Sequence, residues 1–144
     1  MWATGWNDFG QLGDGSNITK ANFVQVISGN VKAVAAGSRY SMVLKIDGSV
    51  WATGQNNYGQ LGDGTISHSS LPVEVVLSGV PVQMSAGDWH TCAILDDARL
   101  KCWGANEFGQ VGDGSTTDLS TPATIDLRHG SKEQVPCSSG SYQP

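Results

Sequence analysis

The sequence has few charges, no long apolar run and no basic excess, and each shortage removes a class of protein. Charged residues make up 15% of the 144 positions, where an average globular domain carries roughly a quarter. The balance is 8 basic to 13 acidic residues, a net charge of −5. That argues against a nucleic-acid backbone as the direct partner, because such a partner favours a basic face. It is compatible with a basic protein partner, and solubility explains it equally well. The longest apolar runs, "VKAVAA" and "VEVVL", fall far short of the ~20 residues of a membrane-spanning helix. Residues 1–15 are Gly-rich and acidic, with neither the basic n-region nor the apolar h-region of a signal peptide. What is abundant is glycine, 19 residues, together with Val, Thr and Ser. This composition points to an all-β fold with many turns, in a chain long enough for one domain with a real core.

The glycines are not scattered. "WATGWNDFGQLGDG" begins at Trp2 and "WATGQNNYGQLGDG" at Trp51, eleven of fourteen letters being identical; "CWGANEFGQVGDG" begins at Cys102. Twelve of the 19 glycines fall in these copies. A second block recurs in register, "VKAVAAGSRYSMVLKIDGSV" from Val31 and "PVQMSAGDWHTCAILDDARL" from Pro81. One unit reads as four short strands, near 23–27, 31–36, 40–45 and 49–54. An Asp-Gly hairpin turn joins the last two, and the Gly-rich loop carries the chain onward. No apolar 3.6-residue period survives these glycines, so a helical reading fails. Four antiparallel strands per ~50 residues is the period of a propeller blade. The units fall near 1–49, 50–99 and 100–127, an incomplete arc of about three blades. Residues 128–144, low in apolar content, read as a disordered tail.

The recurrent letters resemble the regulator of chromosome condensation repeat, whose hallmark is W-G-x-N-x-x-G-Q-L-G-x-G, then Pro-Val, then A-x-G-x-x-H-T-x-A-L and a D-G turn. Gly54, Asn56, Gly59, Gln60, Leu61, Gly62 and Gly64 match it, as do Pro72–Val73 and Ala86, Gly87, His90, Thr91, Ala93 and Ile94. Trp103–Gly104 supplies the family's Trp-Gly pair, where the earlier units have Thr4–Gly5 and Thr53–Gly54. The resemblance implies a seven-bladed β-propeller, of which this chain holds two full units and part of a third. It implies a structural role for the His90–Thr91 pair. It also raises guanine-nucleotide exchange on a small GTPase, and self-association of copies to complete a ring.

Each conspicuous residue has a purely architectural reading beside its functional one. The loop from Gly54 to Gly64 lacks the Lys and following helix of a phosphate loop. Asp63 is its lone acid, where calcium needs several. Its recurrence favours architecture, with glycines in positive-φ turns, Leu61 plugged between blades, and Asn56 and Gln60 satisfying loop backbone groups. Trp2, Trp51 and Trp103 read as blade packing. Cys92 precedes Asp97 by five and Cys102 follows it by five, so the two face each other across a hairpin at Cβ separations of ~4.5–5.5 Å. Three readings remain open: a disulfide favouring an oxidising, extracellular compartment, two reduced core thiols, or zinc ligands together with His90. Cys137 lies in the tail without a partner. Neither cofactor nor metal is expected. No nucleophile motif accompanies His90, so an enzyme is not expected either. The functional reading is a protein-interaction module whose rim loops bind through Trp6, Asp8, Arg39, Tyr40, Asp88 and Trp89, residues at variable places between recurrent ones. Nucleotide exchange, and a secreted inhibitor or surface protein, are the alternatives.

Overall fold

A computed structural model describes residues 1–127; the expected tail and Cys137 lie outside the described residues. Ten strands form: β1 Trp2–Gly5, β2 Lys20–Gln25, β3 Val31–Ala36, β4 Tyr40–Lys45, β5 Val50–Gly54, β6 Ser69–Val75, β7 Pro81–Ala86, β8 His90–Leu95, β9 Leu100–Gly104 and β10 Leu119–Ile125. They make two antiparallel four-stranded sheets, β3-β4-β5-β6 and β7-β8-β9-β10, preceded by the pair β1-β2. The expected all-β architecture of four-stranded blades is present. The first strands of the two full sheets, β3 and β7, approach each other.

The grouping of strands departs from the sequence unit. The strand expected near 23–27 does not open a blade with the strands at 31–36 and 40–45. It is β2, and it pairs backwards with β1, Trp2 opposite Gln25. In the same way β6 returns across the Gly-rich loop to β5, Ala52 opposite Val73, and β10 returns to β9, Cys102 opposite Ala123. Each loop therefore leaves and re-enters one sheet. Pairing across a loop of some fourteen residues is a long-range contact, and strand periodicity alone carries no signal for it.

Alternation on β4 and β8 sorts the two faces of each sheet. Tyr40, Met42 and Leu44 are buried with Ala93, Trp103 and Leu61 between the second and third blades. On β8, Thr91, Ala93 and Leu95 are buried on that side, whereas Ile94 on the opposite face is exposed. Trp103 packs as expected and is fully buried, and Trp51 is half-buried with the Lys45 ammonium 4.7 Å from its ring centre. Trp2 does not pack in this way. It is 62% exposed, because its face of β1 has no described sheet against it.

The β4–β5 and β8–β9 hairpins turn identically, with Gly48 N–H bonded to Lys45 O and Ala98 N–H to Leu95 O. Gly48 holds φ at 86° and Ala98 at 66°. In the left-handed region an alanine Cβ crowds the following carbonyl, at a cost of about 1–2 kcal/mol. Ala98→Gly is therefore expected to stabilise the chain by about 0.5–1 kcal/mol, after the added chain entropy of glycine is deducted. A chemical-denaturation midpoint that rises by that amount, with an unchanged slope, is the check.

Candidate functional site

Antiparallel register sets where the candidate residues lie. Tyr40 stands opposite Gly54 and His90 opposite Gly104. The β3–β4 and β7–β8 turns and the Gly-rich loops thus emerge at the same edge of the sheets. Trp6, Asp8, Arg39, Asp88 and Trp89 all sit on this rim, and Tyr40 sits just beneath it.

The loop is built around one asparagine. Asn56 is fully buried; its Nδ2 donates to Asp63 Oδ1 at 3.2 Å and to Thr65 O at 3.0 Å, and its Oδ1 accepts from Leu61 N–H at 2.9 Å. Asn7 and Asn106 make the corresponding bonds, to Leu12 and Val111 among others. Gln60 Oε1 accepts from Tyr58 N–H at 3.0 Å. The loop so fixed lies on the next blade. A Cβ at Gly59 would fall 2.4 Å from Ser120 Cα, and one at Gly62 would fall 2.5 Å from the Trp103 indole nitrogen. Gly64 N–H donates to Ser120 O, and Trp103 Nε1 donates to Gln60 O at 3.0 Å. Gly54 and Gly104 let the Arg39 and Trp89 carbonyls pass close.

Tyr40 is a correction. It was expected among the partner-binding side chains, but it is 1% exposed. Its hydroxyl donates across the seam to His90 O at 2.6 Å, with Gly87 O at 3.2 Å, and accepts from the Thr91 hydroxyl at 3.0 Å. Burial pushes the phenol up to about 12, Asp88 adding to the push while the Thr91 hydroxyl opposes it. His90, the matching residue one repeat on, folds its ring over Gly87, as Tyr40 does over Gly37.

The remaining candidates form a strip. Trp6 and Phe9 meet edge to face at 5.9 Å, and the Arg39 guanidinium lies 5.1 Å from the Trp6 ring centre and 5.0 Å from that of Phe9. Phe9 in turn meets His68 at 5.3 Å, and His68 Nδ1 accepts from Asn56 N–H at 2.9 Å. Ser38 N–H donates to Asp88 O at 3.3 Å and joins the two turns. Beyond it Trp89 contacts Tyr58 at 5.7 Å. Trp6 is 45% and Trp89 42% exposed; Asp8 and Asp88 are exposed carboxylates beside them. Sequence reasoning missed Phe9, Tyr58, Phe108 and His68. The aromatic before each G-Q looked architectural because it recurs, yet Phe108 is 84% exposed. Recurrence marks a loop position and does not by itself bury it.

Cys92 and Cys102 are directly opposed, with Cα atoms 4.1 Å apart, and are joined by a disulfide. The bond consumes both thiols, which removes them as zinc ligands with His90. Among the described residues no cluster of His, Cys, Asp and Glu could hold a metal ion, and no helix is long and apolar enough to cross a membrane.

Two models of the Regulator of chromosome condensation (RCC1) repeat match the sequence, one over residues 1–44 and 47–94 and the other over 31–60 and 82–110. The chain belongs to the regulator of chromosome condensation repeat family. Its fold is shared with human WBSCR16 (24% identity, TM-score 0.75) and with Prp20p from Saccharomyces cerevisiae (24%, 0.72), each over 87% of this chain. Yeast RCC1 (Prp20) bound to Kap60 aligns comparably, at 23% identity and a TM-score of 0.72. The chain spans about a third of the length of these structures, 34%, 33% and 32% respectively. No curated protein sequence matches it.

Two outcomes follow from these repeats. Tyr40 binds its proton more tightly folded than unfolded, where its value is 10.0. Its contribution is therefore whole below about pH 10 and is lost as pH rises from there to about 12, at roughly 1.4 kcal/mol per unit. Denaturation midpoints of wild type should fall over that window more steeply than those of Tyr40→Phe. Reduction of Cys92–Cys102 should lower stability by about 3 kcal/mol, the chain entropy of an eleven-residue loop. Unfolding with and without reductant measures it, and mass spectrometry showing free thiols at both Cys92 and Cys102 in unreduced protein would contradict it.

Proposed function

We propose that the chain is a non-enzymatic protein-interaction module that docks a partner on the rim carrying Trp6, Asp8, Arg39, Asp88 and Trp89. The observation that carries this reading is the aromatic strip. Trp6, Phe9 and Tyr58 stand partly in water on loops whose backbones are fixed by buried asparagines, and Trp89 stands beside them on the β7–β8 turn closed by Gly87 N–H to His90 O. Rigid, half-exposed aromatics with an arginine among them are the side chains that anchor interfaces, since little ordering entropy opposes contact. Among the described residues the hydroxyls of Tyr40 and Thr91 at the seam are engaged with each other and with backbone carbonyls. The Cys92–Cys102 bond supports an oxidising compartment.

Exchange on a small GTPase is the second reading, supported by the fold shared with Prp20p, whose structure is reported with its binding to Gsp1p and histones. A nucleotide-release assay over a GTPase panel that shows no acceleration removes it. The first reading is tested by capture on the immobilised chain. Trp89→Ala and Arg39→Ala should each weaken partner binding, Trp89→Ala by about 2 kcal/mol or more if it is an anchor. Ile46→Ala, on the exposed opposite edge, should leave binding unchanged. If both rim variants retain every partner at wild-type affinity, this surface is not the docking site.

A further inference from the structure

We propose that the notch between the second and third blades binds the cationic head of a lysine or arginine side chain presented by a protein partner. This rests on the rim reading and names the chemistry of its anchor. The notch has a volume of about 60 Å³ and is walled by Tyr58, Trp89 and Phe108, with Ala105 at its side and Glu107 and Asp118 facing it. That is roughly the space of two waters, enough for one ammonium or guanidinium group.

The preceding repeat supplies the argument, because there the same frame is filled from within. Its corresponding residues are Phe9, Arg39, Tyr58, Gln55, Asn57 and His68. Gln55 is buried, His68 stands edge-on to Phe9, and the Arg39 guanidinium lies 5.0 Å from the Phe9 ring centre. The chain itself thus seats a cation on this aromatic frame, within the ~6 Å at which a ring face attracts one. One repeat later the two ring positions stay aromatic, as Tyr58 and Phe108, and the other four change in character, all in one direction. Trp89 stands in place of Arg39, removing the internal cation and adding a ring face. Ala105 replaces Gln55 and Asp118 replaces His68, and both shorter side chains open the space. Glu107 and Asp118 put carboxylates where Asn57 and His68 stood. The formal charge of the set moves from +1, on Arg39, to −2, on Glu107 and Asp118. Asp118 is held in place by Asn106 N–H at 2.7 Å. An aromatic box with two carboxylates at its mouth selects a cation over a neutral side chain of the same length, by ring quadrupole and by charge together.

The test uses the isotope-labelled 144-residue chain and three probes at equal ionic strength: N-acetyl-lysinamide, N-acetyl-argininamide and the neutral N-acetyl-norleucinamide. The Trp89 indole N–H is the reporter, and the Trp6 indole, whose cation is already supplied by Arg39, is the internal reference. The expected result is a saturable shift at Trp89 with both cations and none with norleucinamide. Ala105→Gln refills the notch as Gln55 does, and the pair Glu107→Gln with Asp118→Asn removes the charge while keeping a side-chain oxygen to accept from Asn106. Each should weaken the cation response by about fivefold or more. A norleucinamide shift equal to that of lysinamide, a cation response unchanged in both variants, or no saturable response to either cation overturns the proposal. Cation shifts at Trp89 combined with undiminished partner capture by Trp89→Ala would uphold the notch and remove the rim-docking reading. Capture lost in Trp89→Ala with no cation response would do the reverse.

Discussion

The side-chain amide at the head of each Gly-rich loop is the interaction on which the rest of the molecule depends. Asn56 ties the amide of Leu61, the carboxylate of Asp63 and the carbonyl of Thr65 into one buried hub. No strand ladder satisfies these groups, because the loop runs outside the sheets. Each buried bond of this kind contributes on the order of 1 kcal/mol, and leaving its partner unmet costs about 1–3 kcal/mol. Three copies of the hub, at Asn7, Asn56 and Asn106, hold the loops in one shape. That shape delivers Leu61 to the core and lets Gly59 lie against the backbone of Ser120. The same shape holds Phe9 and Tyr58 at the rim.

The hub also explains why connectivity and packing run in different directions. The loop begins at the end of β5 and returns as β6 in the same sheet. Its contacts, however, are with the following blade, through Gly64 to Ser120 O and through Gln60 O to Trp103. The preceding loop does likewise, Gly10 O accepting from Thr53 at 2.8 Å. A blade is therefore completed by its own loop and sealed by its neighbour's. Stability in such an array is shared between the units and their interfaces. Tyr40 adds to the same interface, its hydroxyl bonded to the backbone of β8 and of the turn before it.

Much of this was legible because the repeat printed it more than once. Strands at 31–36, 40–45 and 49–54 follow from alternation and an Asp-Gly turn, and the facing positions of Cys92 and Cys102 follow from symmetry about Asp97, which by itself did not choose the disulfide over free thiols or a zinc site. The phase of the blade was not legible, because β2, β6 and β10 find their partners across the loop and local pattern does not encode which neighbour a strand joins. The burial of Tyr40 was hidden for a different reason. Arg39 and Tyr40 are adjacent and both vary between repeats, but Arg39 belongs to the β3–β4 turn and Tyr40 is the first residue of β4, so one reaches the rim and the other the seam. The exposure of Phe108 was hidden by its recurrence, which reports the loop's geometry and carries no information on burial.

That split between neighbours has a consequence for how a rim can vary on a constant frame. At the rim the bonds that close the β4–β5 and β8–β9 ladders within each blade are made by main-chain atoms: Gln55 N–H donates to Arg39 O, and Ala105 N–H donates to Trp89 O, both at 2.8 Å. The side chains of residues 39, 55, 89 and 105 take no part in those two bonds. Arginine can stand where the next repeat has tryptophan, and glutamine where it has alanine, without breaking either bond. At Tyr40 and Asn56 the side chain itself carries the bond, and losing the Asn56 amide leaves the buried Leu61 N–H without its acceptor. The molecule thus separates its two tasks by atom type as much as by position. Its blades are held by backbone and by a few buried amides and hydroxyls, so the charge and shape of the rim can differ from blade to blade at little cost to the fold.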